Sequence, residues 1–397
     1  MFENFTKNCE ADILVGIPSF NNAQTIEHVI KQAAIGLEEH FPKMRSVIVV
    51  SDGNSTDNTI EVAESVTLPK NVDRIVTTYT GISGKGSAIR LILQMAEKLN
   101  CKALALIDAD LKSITPEWIK LLIQPVFEGV QFIAPRYSRY KYDGTITNQV
   151  AYPFTLTLFG YKLRQPIGGD FGLSKDLIKL LINSPLWATE FMPRFGIDIT
   201  ITFTALGNNM DVGEAFLGVK VHDVKDPAAH LGPMFKQVVG ALFDNTCLYE
   251  NVWKNIMHVV EPKIFKEKIE ETKPQPFNVN LNVIEENFIN GFYGKRKIFE
   301  NILPEKIFAR LSFCVKENRI QVEDWAKISF HFLKSYKCSD PTVRNDILEA
   351  YKICWLGRVA TYVRETMDVP DDIAEEKING DALTFMKFKP YLLSIWS

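Results

Sequence analysis

The sequence lacks several features that would each indicate a particular class of protein. Its 397 residues contain no uninterrupted apolar window of about 18 residues, so we expect no membrane-spanning helix. The opening stretch, MFENFTKNCEAD, has neither the basic start nor the apolar centre of a signal peptide, which predicts a cytoplasmic protein. The 45 basic and 48 acidic residues give a formal net charge of −3, so neither nucleic acid nor an anionic membrane is an expected partner.

Two kinds of motif are also missing. The six cysteines are scattered without a CxxC pair, which argues against a zinc site or a disulfide framework. The stretch GISGKGSAIR does not fit the phosphate-binding loop of nucleotide hydrolases, because Gly81 and Gly84 are too close together and Gly86 follows Lys85. What is left is a lysine on a glycine-rich turn before a helix, where its ammonium and the helix N-terminus would both face a diphosphate.

The first half of the chain alternates strand-like and helix-like segments. DILVGIPSF, RSVIVVSDG, VDRIVTTYT and KALALIDAD read as strands, and helical periodicity separates them. This rhythm predicts an α/β fold of Rossmann-like type, with a mainly parallel sheet and helices on both faces. From about residue 245 a proline-bearing charged stretch precedes amphipathic helices. We therefore predict a first domain over 1–243 and an α-helical C-terminal region over 244–397 that supports a homodimer.

Polar loops follow these strands, and ligands of parallel sheets bind beyond the carboxyl ends of the strands. PSFNN, SDGNSTDNT, GISGKG and DAD should therefore meet at one edge. Asp108 and Asp110, separated only by Ala109, repel each other unless a positive group lies beside them. If that segment is extended, both carboxylates point to the same side, one towards a sugar hydroxyl and the other towards a divalent cation. Asp52, at the end of another strand, would suit a hydrogen bond to a nucleobase.

These motifs, in this order, resemble those of nucleotide-sugar-dependent glycosyltransferases of the GT-A fold. QPIGGDFGLS at 165–174, FGIDITI at 195–201 and LGVKVHDVKDPAAHLGPMFKQVV at 217–239 are similar to a small retaining group within them. That group contains glucosyl-3-phosphoglycerate synthase, glucosylglycerate synthase and mannosylglycerate synthase. The resemblance spans about residues 12–243 and does not reach the C-terminal region.

The resemblance implies a role for each donor-side residue. Asp110 and His222 would hold Mg²⁺ or Mn²⁺, with His230 as the fallback ligand, and Lys85 would contact the diphosphate. Many relatives have an acid where Asn21 stands, so this sequence departs from the pattern there. The nucleotide sugar, a GDP- or UDP-hexose, would contact Pro18, Ser19, Asn21, Asp52, Lys85, Asp108 and Ala109.

The acceptor side is implied in the same way. The stretch APRYSRYKYDGTITNQVAYP gathers a basic cluster just before Gly144, and this cluster, if it is not simply a solvated loop, would bind a small anion together with the PIGGD glycines. The implied contacts are Arg136, Arg139, Gly144, Thr145, Thr147, Gly168 and Gly169. Enzymes that use 3-phosphoglycerate have a basic residue where Thr145 stands, so we predict unphosphorylated D-glycerate, with 3-phosphoglycerate as the alternative. Asp170, Glu190 and Asp198 are candidate bases, and the predicted catalytic set is Asp110, Lys85 and Asp198.

The resemblance thus implies a metal-dependent, retaining hexosyltransferase that makes an anionic compatible solute from glucose or mannose and D-glycerate. Two other classes stay open. A nucleotidyltransferase also combines a βαβ domain with acids and metal, but would carry a glycine-rich basic loop after the first strand, and IPSFNN has neither glycine nor a basic residue. A non-catalytic nucleotide-sugar binding protein would share the same motifs.

Overall fold

The structure is a computed structural model that describes residues 10–221, 232–267 and 273–396. The chain forms two compact units. The sheet unit comprises Met1–Ser138, Leu163–Asp223 and Pro262–Pro274, and the helical unit comprises Arg139–Lys162, Val224–Glu261 and Gln275–Ser397. The predicted division at 243/244 is a single cut along the chain, whereas the helical unit also takes in 139–162 and 224–243.

The sheet unit contains one eight-stranded sheet in the order β3-β2-β1-β4-β6-β5-β7-β8. Only β6, among the described strands, runs antiparallel to its neighbours, β4 and β5. The strands are β1 Ile13–Ser19, β2 Ser46–Asp52, β3 Val72–Thr78, β4 Ala103–Leu106, β5 Phe132–Ser138, β6 Phe171–Ser174, β7 Val212–Val219 and β8 Lys263–Lys266. The predicted mainly parallel α/β architecture is confirmed, and the predicted strands correspond to β1 to β4.

Helices cover both faces of this sheet, which is why every residue of β1 and β2 is buried. The helices of the sheet unit are α1 Ile26–His40, α2 Thr59–Ser65, α3 Lys85–Lys98, α4 Pro116–Phe127, α6 Lys175–Ile182 and α7 Ile197–Gly207. Alternate residues of β1 face the core with α1 and α4, whereas Gly16 faces α3. A Cβ at Gly36 would lie 2.6 Å from the carbonyl oxygen of Pro116, so α1 and α4 approach closely only because this residue is glycine.

The helical unit is built from α5 and the helices from α8 onwards. These are α5 Tyr152–Phe159, α8 Gly232–Leu248, α9 Glu250–Trp253, α10 Leu281–Gly294, α11 Arg296–Ile302, α12 Glu305–Lys316, α13 Val322–Cys338, α14 Pro341–Thr366, α15 Asp371–Met386 and α16 Lys389–Trp396. A π-helical turn, Thr147–Ala151, leads directly into α5. Aromatic side chains fill the core, including Trp325 stacked on Tyr351 with ring centroids 5.0 Å apart. The homodimer that we predict for this region stays a prediction.

No helix in the described parts of the chain combines the length and the apolar character needed to cross a membrane.

Candidate active site at the carboxyl edge of the sheet

The ends of β1 and β2 form the first part of the candidate site. Parallel pairing places Ser19 opposite Asp52, at the last residue of each strand. Asp52 is 0% exposed, and its carboxylate accepts hydrogen bonds from Ser19 Oγ at 2.9 Å, Ser55 N at 2.7 Å and Ser55 Oγ at 2.6 Å. Asp52 therefore organises its own loop in this structure, and contact with a nucleobase requires these bonds to rearrange.

Asn21 shapes the neighbouring loop. Its φ of 54° lies in the left-handed region, which asparagine tolerates better than most residues. Its side-chain Oδ1 accepts a hydrogen bond from the Thr56 backbone N–H at 2.9 Å, and its own backbone N–H donates to Ser55 Oγ at 2.8 Å. Pro18 is buried within β1. The exposed surface here is instead formed by Phe20, which is 59% exposed.

Lys85 opens α3 and lies in the centre of a cluster of charges. Its Nζ lies 2.7 Å from Asp108 Oδ1 and 3.0 Å from Asp198 Oδ2. The start of α3 is fixed because the backbone N–H of Gly86 donates to Arg194 O at 3.1 Å and a Cβ at Gly86 would clash with Met192 O at 1.9 Å. The structure thus brings together Lys85, Asp108 and Asp198, which belong to three separate segments of the sequence.

Lys220 extends this cluster on the other side of Asp108. Its Nζ lies 3.0 Å from Asp108 Oδ2 and 2.9 Å from Asp170 Oδ2, and it donates to Gly168 O at 2.9 Å. Asp170 Oδ1 accepts a hydrogen bond from the Asp108 backbone N–H at 2.8 Å, and the Tyr137 hydroxyl donates to Asp170 Oδ2. The side chains therefore form one chain of alternating charges from Asp198 through Lys85, Asp108 and Lys220 to Asp170.

The topology explains why these residues meet. Lys220 directly follows β7, and Asp108 follows β4, so both lie at the carboxyl edge. Asp170 directly precedes the antiparallel strand β6, whose first residue, Phe171, pairs with Leu106 at the end of β4. An antiparallel strand presents its start where its parallel neighbours end. The single reversed strand therefore adds a carboxylate to this edge.

Burial and mutual charge set the ionisation of the cluster. Burial would raise the pKa of the Asp108 carboxyl, but Lys85 and Lys220 outweigh this and hold the pKa well below its ordinary value. Burial raises the pKa of Asp198 to about 6 against the opposing effect of Lys85. Burial also raises the pKa of Asp170. For Lys85, burial would lower the pKa, but Asp108 and Asp198 raise it above its ordinary value, so the ammonium stays charged.

Asp110 differs from Asp108 in that its carboxylate has no partner among the residues that the structure describes. β4 ends at Leu106 and residues 109–110 form a turn, so the expectation that Asp108 and Asp110 project from one extended segment is wrong. Asp108 is held by two lysines, whereas within the described residues no hydrogen bond or ion pair engages the Asp110 carboxylate. A free carboxylate oxygen is a ligand that Mg²⁺ and Mn²⁺ accept. Asp110 therefore fits the role of metal ligand better than Asp108 does.

The second predicted metal ligand, His222, and its fallback, His230, lie outside the described residues. The residues that follow Asp110 are nevertheless hydrogen-bonded to Val221, which precedes His222 in the sequence. Lys112 N–H donates to Val221 O at 3.0 Å, and Val221 N–H donates to Ser113 Oγ at 2.9 Å. Among the residues that the structure describes, no group of three or more His, Cys, Asp or Glu side chains is arranged to hold a metal ion.

The predicted acceptor residues divide between the two units. In the sheet unit, Arg136 Nη1 lies 3.1 Å from Glu214 Oε2, and the same buried carboxylate accepts a hydrogen bond from the Arg164 backbone N–H at 2.6 Å. Gly169 has a φ of 94°, and a Cβ there would lie 2.3 Å from Asp108 Oδ2 and 3.1 Å from Lys85 Nζ. Glycine is therefore required where this backbone meets the charged cluster.

In the helical unit, Arg139 Nη1 lies 3.6 Å from Asp143 Oδ2, and Gly144 adopts a φ of 70°. Thr145 is 1% exposed, its Oγ1 has no hydrogen-bond partner among the described residues, and its carbonyl oxygen accepts from Trp355 Nε1 at 3.5 Å. Thr147 is also buried. The hydroxyl groups of the predicted acceptor segment thus lie inside the unit in this structure.

Sequence reasoning missed two members of the charged cluster. Tyr137 was not singled out, and Lys220 was quoted only as part of the segment that carries His222. One feature of the sequence could have identified Lys220. It directly follows the apolar residues LGV at the end of a predicted strand, and the other polar loops were expected at the same edge of the sheet. Of the three candidate bases, Asp170 is 0% exposed and Asp198 is paired with Lys85, whereas Glu190 is exposed.

One family model matches part of the chain. Residues 14–178 match the family model of glycosyl transferase family 2. The glycosyl transferase match includes β1 to β6 and every described member of the charged cluster except Asp198 and Lys220. It confirms the resemblance to glycosyltransferases that the motifs indicated. No curated protein sequence matches the chain.

The chain is also similar to crystal structures of glucosyl-3-phosphoglycerate synthase from Mycobacterium tuberculosis. The complex with phosphoglyceric acid shows 24% sequence identity and a TM-score of 0.47, over 59% of this chain and 80% of that one. The complex with Mn²⁺, uridine diphosphate and glucosyl-3-phosphoglycerate shows 25% identity and a TM-score of 0.46, over 59% and 80%. The complex with Mn²⁺, uridine-diphosphate-glucose and phosphoglyceric acid shows 26% identity and a TM-score of 0.46, over 59% and 79%.

Proposed function

We propose that the chain is a metal-dependent hexosyltransferase that moves glucose or mannose from a nucleoside diphosphate sugar to D-glycerate, with retention of anomeric configuration. The observation that carries the proposal is the Lys85–Asp108–Asp198 cluster at the carboxyl edge of the sheet, within and beside the glycosyl transferase match. A cluster of this kind, beside a free carboxylate at Asp110, suits a ligand that carries both phosphate and sugar.

Lys85 would stabilise the departing group. A nucleoside diphosphate gains negative charge as the glycosidic bond breaks, and an ammonium already in place stabilises this charge without reorganisation. Lys85 is the first residue of α3, so the partial positive charge of the helix N-terminus acts in the same direction. In this structure Asp108 and Asp198 hold this ammonium, and the diphosphate would take over part of their role.

Asp110 and His222 would hold the divalent cation, Mg²⁺ or Mn²⁺. The backbone bond between Lys112 and Val221 supports this pairing, because it joins the segments that carry the two residues. When bound, the cation would neutralise charge on the diphosphate as a Lewis acid. Asp108, already neutralised by two lysines, would be left to orient the sugar or ribose.

The remaining predicted contacts complete the proposal. The nucleoside would lie against the loops of Pro18, Ser19, Asn21, Asp52 and Ala109. The acceptor would contact Arg136, Arg139, Gly144, Gly168 and Gly169, and it would contact Thr145 and Thr147, which are buried in this structure, only after their segment rearranges. The choice of D-glycerate over 3-phosphoglycerate rests on Thr145, which stands where the phosphoglycerate-using enzymes have a basic residue. The complete burial of Asp170 argues against that residue as an inverting base.

A product assay tests the proposal directly. UDP-glucose, GDP-glucose and GDP-mannose are each crossed with D-glycerate and 3-phosphoglycerate, with Mn²⁺, with Mg²⁺ and with chelator. We expect α-linked hexosylglycerate, identified by NMR of the anomeric proton, with glycerate preferred and no turnover with chelator. Nucleotidyl transfer in place of hexosyl transfer, or tight donor binding without any product, would support the two other classes instead.

A further inference from the structure

Asp170, Tyr137 and Lys220 form a buried trio that borders the proposed donor and acceptor sites. Asp170 is 0% exposed and Tyr137 is 5% exposed, so neither side chain is open to a substrate. Lys220 is nearly as buried as they are. Burying three polar groups is unfavourable unless each finds partners, and here each one does.

The Lys220 ammonium is held by two carboxylates and one backbone carbonyl. A lysine ammonium has three N–H donors, and three acceptors surround it, namely Asp108 Oδ2, Asp170 Oδ2 and Gly168 O. The ammonium also lies 5.1 Å from the centroid of the Tyr137 ring. Its position is therefore determined from several directions at once.

Asp170 holds Asp108 by two routes. Its Oδ1 accepts the backbone N–H of Asp108 directly, and its Oδ2 reaches the Asp108 carboxylate through Lys220. The Tyr137 hydroxyl donates to the same Oδ2, which keeps the Asp170 carboxylate oriented, and the Tyr137 ring packs against Trp118 with centroids 5.5 Å apart. The bond to Gly168 ties the acceptor-side glycines to the same ammonium.

We propose that Asp170, Tyr137 and Lys220 are positioning residues that fix Asp108 and the Gly168–Gly169 backbone relative to each other. The proposal rests on the proposed function, since it assigns Asp108 to the donor and the glycines to the acceptor. The trio acts through Asp108 and the backbone. Its effect is on the alignment of the two substrates rather than on the affinity for either one.

Tyr137→Phe tests the trio with the smallest change. Loss of one hydrogen bond of about 1.4 kcal/mol corresponds to about tenfold in rate, so we expect kcat to fall about tenfold while KM for the donor changes less than about twofold. Lys220→Met removes the ammonium that joins Asp108 to Asp170. Misplacement of Asp108 on the order of 1 Å corresponds to about a hundredfold loss in kcat. A kcat within twofold of wild type in Tyr137→Phe overturns the proposal.

The helical unit offers a matched control. Tyr336 donates to Asp244 Oδ1 at 2.9 Å, and Arg344 Nη1 lies 3.7 Å from the same oxygen, so a tyrosine, an aspartate and a basic side chain also meet within the helical unit. Tyr336→Phe should lower the melting temperature about as much as Tyr137→Phe does, but leave kcat unchanged. An equal loss of kcat in both variants would mean that the effect is structural, and the proposal would fail.

A crystal structure of Asp170→Asn separates failure of this inference from failure of the proposed function. We expect the Asp108 carboxylate to move by at least about 0.5 Å relative to the wild type, a displacement that matters in a functional site. If the wild type transfers no hexose, the proposed function fails. The displacement of the Asp108 carboxylate then still tests whether Asp170 fixes the position of Asp108. An unmoved Asp108 overturns the inference whatever the activity.

Discussion

One network of buried charge in the sheet unit and one in the helical unit are built differently. The sheet-unit network has three carboxylates for two ammoniums, and its members lie at strand ends and helix starts. The helical-unit network surrounds Arg358, in the middle of α14. Arg358 donates from Nε to Gln149 Oε1 at 3.0 Å, from Nη1 to Ile320 O at 3.2 Å and from Nη2 to Asp381.

The difference concerns what each network leaves unsatisfied. Every nitrogen of the Arg358 guanidinium has an acceptor, so the cation at the centre of that network is fully satisfied and serves to hold helices together. At the sheet edge, Asp198 Oδ1 is buried without a hydrogen-bond partner among the described residues, and the carboxylate of Asp110, two residues after Asp108, is also unengaged there. Unsatisfied anionic oxygens favour a cationic or hydroxyl-bearing ligand. We therefore expect variants of the first network to lose activity and variants of the second to lose stability.

The largest effect is expected from Asp110→Ala. Removing the proposed metal ligand should lower kcat/KM by about 10³-fold, equivalent to about 4 kcal/mol of transition-state stabilisation, with little change in thermal stability. Steady-state kinetics and a melting curve measure the two quantities. Asp176→Ala, an exposed acid in the first turn of α6, is the control and should retain full activity. Full activity in Asp110→Ala would remove the proposed metal site.

Arg358→Met should give the opposite result. Leaving Asp381 without its buried partner is expected to lower the free energy of unfolding by about 3 kcal/mol, while kcat per folded molecule stays at the wild-type value. Urea unfolding and an active-fraction measurement separate these quantities, and Arg358→Lys provides a milder variant if Arg358→Met does not fold. Arg296→Met, which removes an exposed pair with Glu300, should change stability by less than about 0.5 kcal/mol. A catalytic defect in Arg358→Met without loss of stability would break the comparison between the two networks.

Ionisation of Asp198 should affect activity and stability in opposite directions: kcat/KM should rise with pH, whereas the contribution of Asp198 to the free energy of unfolding should fall. If the ionised carboxylate is needed to hold Lys85, kcat/KM should fall about tenfold per unit below pH 6 and the fall should be absent in Asp198→Asn. The pKa of about 6 is above the ordinary value of 3.8, so this group stabilises the fold fully below pH 4, and that stabilisation is lost as the pH rises through 6. At pH 7 Asp198→Asn should therefore be at least as stable as wild type. A variant less stable at pH 7 and with an unchanged acid limb would contradict both expectations.

The smallest effect concerns two threonines of the helical unit. Thr145 Oγ1 is buried without a partner among the described residues, whereas Thr155 Oγ1 donates to Ala151 O at 2.7 Å. Thr145→Val should raise the free energy of unfolding by about 1 kcal/mol, and Thr155→Val should lower it by a similar amount. Chemical denaturation compares the pair. Destabilisation by Thr145→Val would mean that its hydroxyl has a role that burial alone does not explain.

The sequence was most informative about the sheet. Continuous apolar runs such as SVIVV predict buried parallel strands, and the rule that ligands lie beyond strand ends predicted where Lys85 and Asp108 meet. The pairings themselves could not be predicted, because Lys220 and Asp108 are 112 residues apart and periodicity carries no information on such contacts. The extended geometry expected for Asp108 and Asp110 was wrong because β4 ends at Leu106 and the chain turns.

A crystal structure of the full chain with Mn²⁺ and UDP or GDP would locate the metal and the diphosphate relative to Asp110 and Lys85. We predict an anomalous manganese signal bonded to an Asp110 carboxylate oxygen, and Lys85 Nζ within hydrogen-bond distance of a diphosphate oxygen. A manganese signal remote from Asp110, with Lys85 still bound only to Asp108 and Asp198 beside an ordered nucleotide, would contradict the account.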